Sequence, residues 1–375
     1  MKALVSVSDK AGIVNFCSEL VKLGYEIVST GGTFKVLIEN GVKAIPVEDI
    51  TEFPEMLDNR VKTLHPKIHG GLLSLRENEE HMATCKEHGI PLIDMVVVNL
   101  YPFEKTINSK DVTLETAIAN IDIGGPSMIR SAAKNYQSVG VVVNPERYDT
   151  IIAELKNSDS KLSKETKESL ACEAFSHTAR YDGIISSYLE KTLMSKKGLP
   201  DFLSPNLQKI SDLRYGENPH QDAAFYKLTD TKGLPKLKQH QGKELSYNNI
   251  VDIEAAWKIV KSFDLPCASV IKHTNPCGAA IGEDITEAYT KAFECDPKSA
   301  FGSIVGLNRS VTKKTAEELA KTFIEVIVAP SFDDEALSLL SKKSSLRLIS
   351  LDDFFNNDPS FEMKNIDGGC LVQTT

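Results

Sequence analysis

The sequence predicts an α/β protein with two regions, each organised around a buried sheet. Short, continuously apolar runs are the first sign, clearest at Met95-Val96-Val97-Val98, where both faces of a strand must be covered. Helix-periodic segments lie between such runs; residues 12–23 place Ile13, Phe16, Cys17 and Leu20 on one face. The length of 375 residues allows two or three domains at about 100–200 residues each.

In the first region, strands are expected at residues 3–7, 26–29, 42–47, 95–99 and 139–143, and helices over 12–23 and 124–135. Alternation of strand and helix is the signature of a parallel sheet. Pro126 stands just inside the start of the second helix, where its missing N–H costs nothing. From 145 to about 197 the pattern is helical, and Lys196-Lys197-Gly198-Leu199-Pro200 reads as a linker or domain edge. A second α/β region follows, with helices over 252–261 and 313–323 and strands at 268–272, 304–307 and 326–329. Asp284 and Glu287 suggest a capping box. The last residues, from Gly368 to Thr375, form an apolar, strand-like run that needs a partner sheet.

Composition narrows the class. Hydrophobic residues make up 41% and charged residues 25%, which suits a globular chain with large cores. The net charge of −9 lacks the basic excess that replaces phosphate counterions, so a nucleic-acid partner is not expected. A small anionic ligand needs only a few local cations. The seven cysteines show no CxxC spacing and read as reduced thiols of a cytosolic protein. No metal site is expected: His65 and His69 are four apart, but Pro66 between them argues against a ligand pair on one helix face. The amino terminus is too short and polar for a signal peptide, and no apolar run approaches the ~18 residues of a membrane helix. The expected location is cytoplasmic.

Polar residues gather at the ends of the expected strands, where open α/β sheets bind ligands. Ser6-Val7-Ser8-Asp9-Lys10 closes the first strand, and Ser29-Thr30-Gly31-Gly32-Thr33 follows the second. Hydroxyls, a lysine and glycines at helix starts suit a phosphate; a helix cap and a tight turn would use the same residues. Neither segment is a Walker A loop or a GxGxxG fingerprint. Arg60, Lys62 and His65 crowd one short segment. Asn99 and Tyr101 emerge directly after the buried strand, and Asp122 stands between Ile121 and Ile123 just before Gly124. Arg130 and Lys134 share a helix face. A lysine, an aspartate and a tyrosine converging on one sheet edge would make an acid–base set. In the second region Arg214-Tyr215-Gly216-Glu217-Asn218 is densely polar, and Lys272-His273 ends a strand before Thr274-Asn275-Pro276-Cys277-Gly278. A histidine beside a lysine is a reasonable proton-transfer pair. Ser299-Ala300-Phe301-Gly302 reads as a turn able to line a pocket.

The segments SVSDK, STGGT, FPEMLDNRVKTLHPKIHGG, DMVVVNLYPF, NIDIGGPSMIRSAAKN, LRYGENPHQ, VIKHTNPCG and SAFG occur in this order. Together they resemble the bifunctional purine-biosynthesis family that joins AICAR transformylase to IMP cyclohydrolase. The resemblance runs from the first strand to the last residue. It implies a methylglyoxal-synthase-like parallel-sheet domain over 1–145 for the cyclohydrolase. A helical extension and linker would cover 146–197. A cytidine-deaminase-like α/β domain over 198–375 would carry the transformylase, first half only, because the family continues beyond the GGxLVQ segment. The rival readings share the first fold: a phosphometabolite-binding regulatory domain, or a phosphate elimination of the methylglyoxal-synthase type.

For the cyclohydrolase, which closes formyl-AICAR to IMP with loss of water and no cofactor, the resemblance implies Lys62, Tyr101, Asp122 and Lys134 as the chemical group. Lys62 and the backbone near Ile123 would face the developing oxyanion, while Asp122, Lys134 and Tyr101 align the amide and relay protons. Ser8, Lys10, Ser29, Thr30, Gly31, Gly32, Thr33, Arg60, Thr63, Asn99, Ile123 and Gly124 would hold the nucleotide. For the transformylase it implies Lys272 and His273 as the catalytic pair, with Arg214, Tyr215 and Asn249 on the nucleotide and 10-formyltetrahydrofolate as formyl donor. A homodimer is implied, with the transformylase site shared between subunits and using later residues. A chain ending at Thr375 is therefore expected to keep ring closure, lack useful formyl transfer and expose an unpaired strand around Leu371-Val372.

Overall fold

The apolar runs of the first region become β1 (Lys2–Val7), β2 (Glu26–Ser29), β3 (Ala44–Pro46), β4 (Met95–Asn99) and β5 (Gly140–Val142) of one sheet, in the order β3-β2-β1-β4-β5. Every pairing in it is parallel. These positions come from a computed structural model, which describes residues 1–54, 56–57, 60–194, 198–228, 233–351 and 361–374. Lys196 and Lys197 of the expected linker, and Thr375, lie outside the described residues.

The strand order reverses between β1 and β4. Chain leaving their carboxyl ends diverges there and opens a crevice. Val7 pairs with Asn99 at that edge. Helices cover both faces: α1 (Ile13–Lys22), α2 (Gly31–Glu39), α3 (Val47–Thr51), α4 (Pro66–Leu73), α5 (Glu79–Glu87), α6 (Phe103–Ile107), α7 (Leu114–Ala119), α8 (Gly124–Lys134), α9 (Tyr148–Asn157) and α10 (Lys164–Leu193). Helix α1 buries Ile13, Phe16, Cys17 and Leu20, the stripe its periodicity predicts. Long α10 packs against α8, β5 and α6, and its Leu170, Ala174 and Tyr181 join the same core as the sheet. The helical stretch after 145 thus belongs to the first of two units, Met1–Ser204.

The second unit is Pro205–Thr375. Its named strands are β6 (Leu207–Leu213), β7 (Ala223–Leu228), β8 (Lys238–Gln241), β9 (Cys267–Lys272), β10 (Asn275–Ile281), β11 (Ser303–Leu307), β12 (Ile324–Ala329), β13 (Arg347–Ser350), β14 (Phe361–Ile366) and β15 (Gly369–Thr374). Its helices are α11 (Tyr247–Lys261), α12 (Ile285–Glu294), α13 (Lys313–Leu319) and α14 (Asp334–Leu340). A mixed sheet runs β10-β9-β11-β12-β13-β8, with α11 and α12 packed against β9, while β6–β7 and β14–β15 form separate hairpins.

Several elements differ from the sequence expectation, each for a local reason. The third strand is only Ala44–Pro46: proline cannot donate to a ladder, β3 is an edge strand, and Val47 opens a helix. The segment after His273, to which the sequence assigns no element, is strand β10; a bulge between Pro276 and Gly278 accommodates residues unfavourable to a regular ladder. The reciprocal capping box lies at Ser246 and Asn249, so α11 begins five residues early. Asp284 does cap α12 by accepting the Glu287 N–H, but the Glu287 carboxylate takes the N–H of Glu283. Helix α13 stops at Leu319 rather than 323. The apolar run near the end is not unpaired, since Gly369–Thr374 pairs antiparallel with Phe361–Ile366. Among the described residues no helix is long and apolar enough to cross a membrane.

Candidate active sites

The crevice at the β1/β4 switch is built from backbone geometry first. Asn99, at the end of β4, accepts the N–H groups of Ser8 (2.6 Å) and Asp9 (2.8 Å) on its Oδ1 and donates to Asp9 O. Its side chain therefore shapes the loop after β1. Thr33, nearly buried, exchanges hydrogen bonds with the Val7 N–H and carbonyl, and Lys10 Nζ reaches the same hydroxyl at 3.1 Å. Burial pushes the Lys10 ammonium below the usual lysine range, opposed by the charge of Asp9. Ser29 is fully buried and its hydroxyl donates to Val5 O, so that side chain serves the sheet.

Helix α2 starts uncapped by its own N-cap residue. Thr30 holds that position, but its hydroxyl pairs with Ser6 Oγ at 2.7 Å and makes no cap bond. The first N–H groups of a helix lack intrahelical partners and carry its positive end, so those of Gly31 and Gly32 suit an anion. Gly31 has φ +38° and lies under a cation: a Cβ there would stand 3.1 Å from Lys62 Nζ.

Across the crevice, α8 begins at Gly124 with Ile123 as N-cap, and Ile123 is 60% exposed. An isoleucine cannot cap, and Asp122 supplies the acceptor instead: its Oδ1 takes the Gly125 N–H at 2.8 Å. A Cβ at Gly125 would lie 2.4 Å from Asp122 Oδ2, so only glycine admits the carboxylate this close. Burial holds the Asp122 carboxyl above its usual range; the N–H groups of Gly125 and Tyr101 and the charge of Lys62 pull the other way. Thr63 is buried with Oγ1 against Gly124, 2.8 Å from where a Cβ would be.

Lys62, Gly31, Thr63, Asp122, Gly124 and the Tyr101 backbone are thereby brought together, beside the Ser8–Lys10 loop and Asn99. Arg60 sits exposed in the turn before Lys62. Lys134 is not brought to Asp122. It stands exposed in the last turn of α8, ten residues and about 15 Å along the axis from Gly124. Arg130, on the same helix, lies over the Phe175 ring. His65 and His69 face different partners: His65 Nδ1 accepts the Lys67 N–H, and His69 Nδ1 meets Ser131 Oγ. Tyr181 was not singled out from the sequence, yet its hydroxyl accepts the Asp122 N–H at 2.8 Å.

In the second unit, Lys272 ends β9 and donates from Nζ to Phe301 O at 3.0 Å. His273 and Thr274 form the two-residue loop into β10, with φ +53° and +63°. Positive φ at both positions is the mark of a type I′ hairpin, which favours Asn-Gly; here neither residue is glycine. Three hydrogen bonds hold the loop: the Thr274 N–H to Asp252 Oδ1 at 2.7 Å, and Thr274 Oγ1 and Asn275 Nδ2 to His273 O. Arg214 and Tyr215 follow β6, with the guanidinium 4.7 Å from the Tyr215 ring centroid. The Asn249 side chain is taken up by the α11 cap and by Glu325, its Nδ2 donating at 3.3 Å.

Residues 12–127 match the MGS-like domain, and residues 132–375 match the AICARFT/IMPCHase bienzyme. The chain belongs to the AICARFT/IMPCHase bienzyme family. It is 53% identical over 375 residues to the bifunctional purine biosynthesis protein PurH of Thermoanaerobacter sp. (strain X514), covering 99% of this chain and 72% of that one. To PurH of Bacillus mycoides (strain KBAB4) it is 51% identical over 374 residues, covering 99% and 73%. A solved structure, "Crystal structure of ForH", is 32% identical with a TM-score of 0.45, covering 50% of this chain and 95% of that one. The match of residues 12–127 to the MGS-like domain bears out the methylglyoxal-synthase-like fold expected for the first domain. The boundary between the two matched segments falls inside α8, so the bienzyme match includes α9 and α10, which belong to the first unit.

Proposed function

We propose that the first unit closes formyl-AICAR to IMP at the β1/β4 crevice, and that the second carries the formyl-transfer residues that make that substrate from AICAR. The chain is a purine-biosynthesis enzyme of the bienzyme family, with transformylase and cyclohydrolase activities. One observation carries the assignment of the first site: an ammonium, a buried carboxylate and two uncapped or carboxylate-capped helix starts face one crevice.

The α2 start, with Gly31 and Gly32, takes the phosphate, aided by Lys10 and the Ser8 loop. The carboxamide nitrogen attacks the formyl carbon of the same molecule, so the enzyme's task is a near-attack conformer and charge stabilisation. Asp122 accepts the amide proton as the C–N bond forms. Lys62 stabilises the oxygen that gains charge and gives it a proton; the proton held by Asp122 then completes the departing water as the C–O bond breaks, while the formamide nitrogen loses its own proton to Lys62 and the C=N bond forms. Tyr101 orients the base; Lys134, which the family resemblance would add to this group, stands at the far end of α8 and takes no step in this reading. In the second unit His273 acts as base for the AICAR amine, Lys272 stabilises the transferring carbonyl, and Arg214 and Tyr215 hold the nucleotide. The formyl donor is 10-formyltetrahydrofolate. The working form is a cytoplasmic homodimer.

Incubating the protein with formyl-AICAR and following IMP absorbance tests the reading, with Lys62→Ala as control. Ring closure that is absent in the wild type, with tight binding of nucleotide retained, would favour a regulatory phosphometabolite-binding domain.

A further inference from the structure

We propose that Tyr181, on α10, is a positioning residue for ring closure: it holds the loops of Asp122 and Tyr101 in register from behind the crevice. The proposal rests on the reading of Asp122 given above.

Tyr181 lies 59 residues beyond Asp122 and is 8% exposed. A phenol offers one donor and an acceptor, and both are spent on one short segment. Its oxygen accepts the Asp122 N–H at 2.8 Å and donates to Asn120 O at 3.4 Å. The ring packs edge-on against Phe103, centroids 6.3 Å apart at 71°, and Tyr188 does the same at 5.6 Å and 86°. Phe103 is itself tied to the other loop, its N–H donating to Tyr101 O at 2.7 Å. Seven residues are two helical turns, so one face of α10 presents both aromatic rings to the two loops.

The consequence is geometric. With its N–H on Tyr181 and its carboxylate on the Gly125 N–H, Asp122 is fixed at both ends. Burial pushes the Tyr181 hydroxyl up to about 12, so it stays protonated and keeps both bonds at working pH. Without the hydroxyl the Asp122 N–H loses its acceptor, and the carboxylate shifts relative to the substrate amide. A displacement of that kind lowers the rate of the step it serves more than the affinity for substrate.

Tyr181→Phe removes one oxygen and leaves the ring. For ring closure the expected result is a kcat lowered about ten- to a hundredfold, a KM for formyl-AICAR and an IMP affinity essentially unchanged, and an acid limb of the kcat profile displaced from the wild-type position. A merely structural tyrosine would lower the melting temperature and leave the limb in place. Wild-type kcat and limb in folded Tyr181→Phe overturn the proposal, as does a loss seen only in KM. Asp122→Asn is measured alongside. If it retains full turnover, the site reading itself fails; if it is inactive while Tyr181→Phe is normal, only the positioning role fails. Should Tyr181→Phe be unstable, amide exchange in the wild-type enzyme decides. Protection of the Asp122 N–H supports the proposal, and exchange at the rate of an open loop overturns it.

Discussion

Lys62 Nζ lies 3.1 Å from the point where a Cβ on Gly31 would stand, so the cation of one loop rests on the helix start of another. Two sources of positive potential are thereby stacked at the mouth of α2: an ammonium and the helix's own N–H groups. Replacing Gly31 with valine puts a branched side chain into this contact, on a backbone at φ +38° that β-branched residues disfavour. IMP affinity of folded Gly31→Val should fall at least tenfold by calorimetric titration. An unchanged dissociation constant would remove Gly31 from the phosphate site.

Asp122 is the group whose loss should be most selective. Asp122→Ala should lower kcat for ring closure by about 10²–10³, the range typical of removing one preorganised polar partner. The Gly125 N–H it caps would be left to solvent, at a cost of about 1 kcal/mol. Activity near wild type in a folded variant would mean the proton goes elsewhere.

The same carboxyl sets a pH signature. Its folded-state pKa is raised by burial, whereas an ordinary aspartate titrates near 4. If the carboxylate is the base, turnover rises with pH through the raised value, so the acid limb lies above the position of an unperturbed aspartate. For stability the sign is opposite. The folded state binds this proton more tightly than the unfolded chain, so the contribution is present at acid pH and is lost as pH rises from the ordinary to the raised value. Asp122→Asn should abolish the limb and, relative to wild type, flatten that part of the Tm–pH curve.

Lys62 and Lys134 are equivalent candidates by family resemblance but not by position. Lys62 bears on Gly31 and Asp122, while Lys134 closes the far end of α8. Single-turnover ring closure should fall by about 10²–10³ in Lys62→Ala and by less than tenfold in Lys134→Ala. Equal losses would place the far end of α8 in the chemistry and the geometric argument would be wrong.

What could be read in the sequence were features carried by neighbours in the chain. Met95–Asn99 is apolar residue by residue, and the buried stripe of α1 follows from 3.6-residue spacing alone. The candidate polar residues at the ends of β1, β2 and β4 were legible because a parallel sheet puts such ends on one edge. What could not be read were pairings across long separations. Nothing local marks Tyr181 as the partner of Asp122, or shows that Ser6 draws Thr30 away from its cap. Strand β10 was hidden because Pro276 and Gly278 are loop-forming by propensity, and only the edge position with its bulge admits them. For Ser29 the residue type suggested a ligand while the register turned its hydroxyl inward to Val5 O.

The turn at His273 is strained. Both loop residues sit at positive φ without being glycine, and such conformations cost on the order of 1 kcal/mol or more each. The surrounding bonds, above all Asp252 Oδ1 on the Thr274 N–H, hold the chain there. Strain kept at one tight turn is informative when the turn carries a candidate base, because a relaxed loop would aim the imidazole elsewhere. Thr274→Gly keeps the N–H to Asp252 and relieves the backbone, at the loss of one hydroxyl contact to His273 O. The second unit should then melt at the same temperature or a few degrees higher, by differential scanning calorimetry. Asp252→Ala removes the anchor, and the same transition should fall by several degrees with ring closure in the first unit unaffected. In protein shown to transfer formyl groups, both variants should lower that rate, although they move stability in opposite directions. A rate that simply tracked stability across the pair would mean the turn is a structural hairpin and that its geometry is not what places His273.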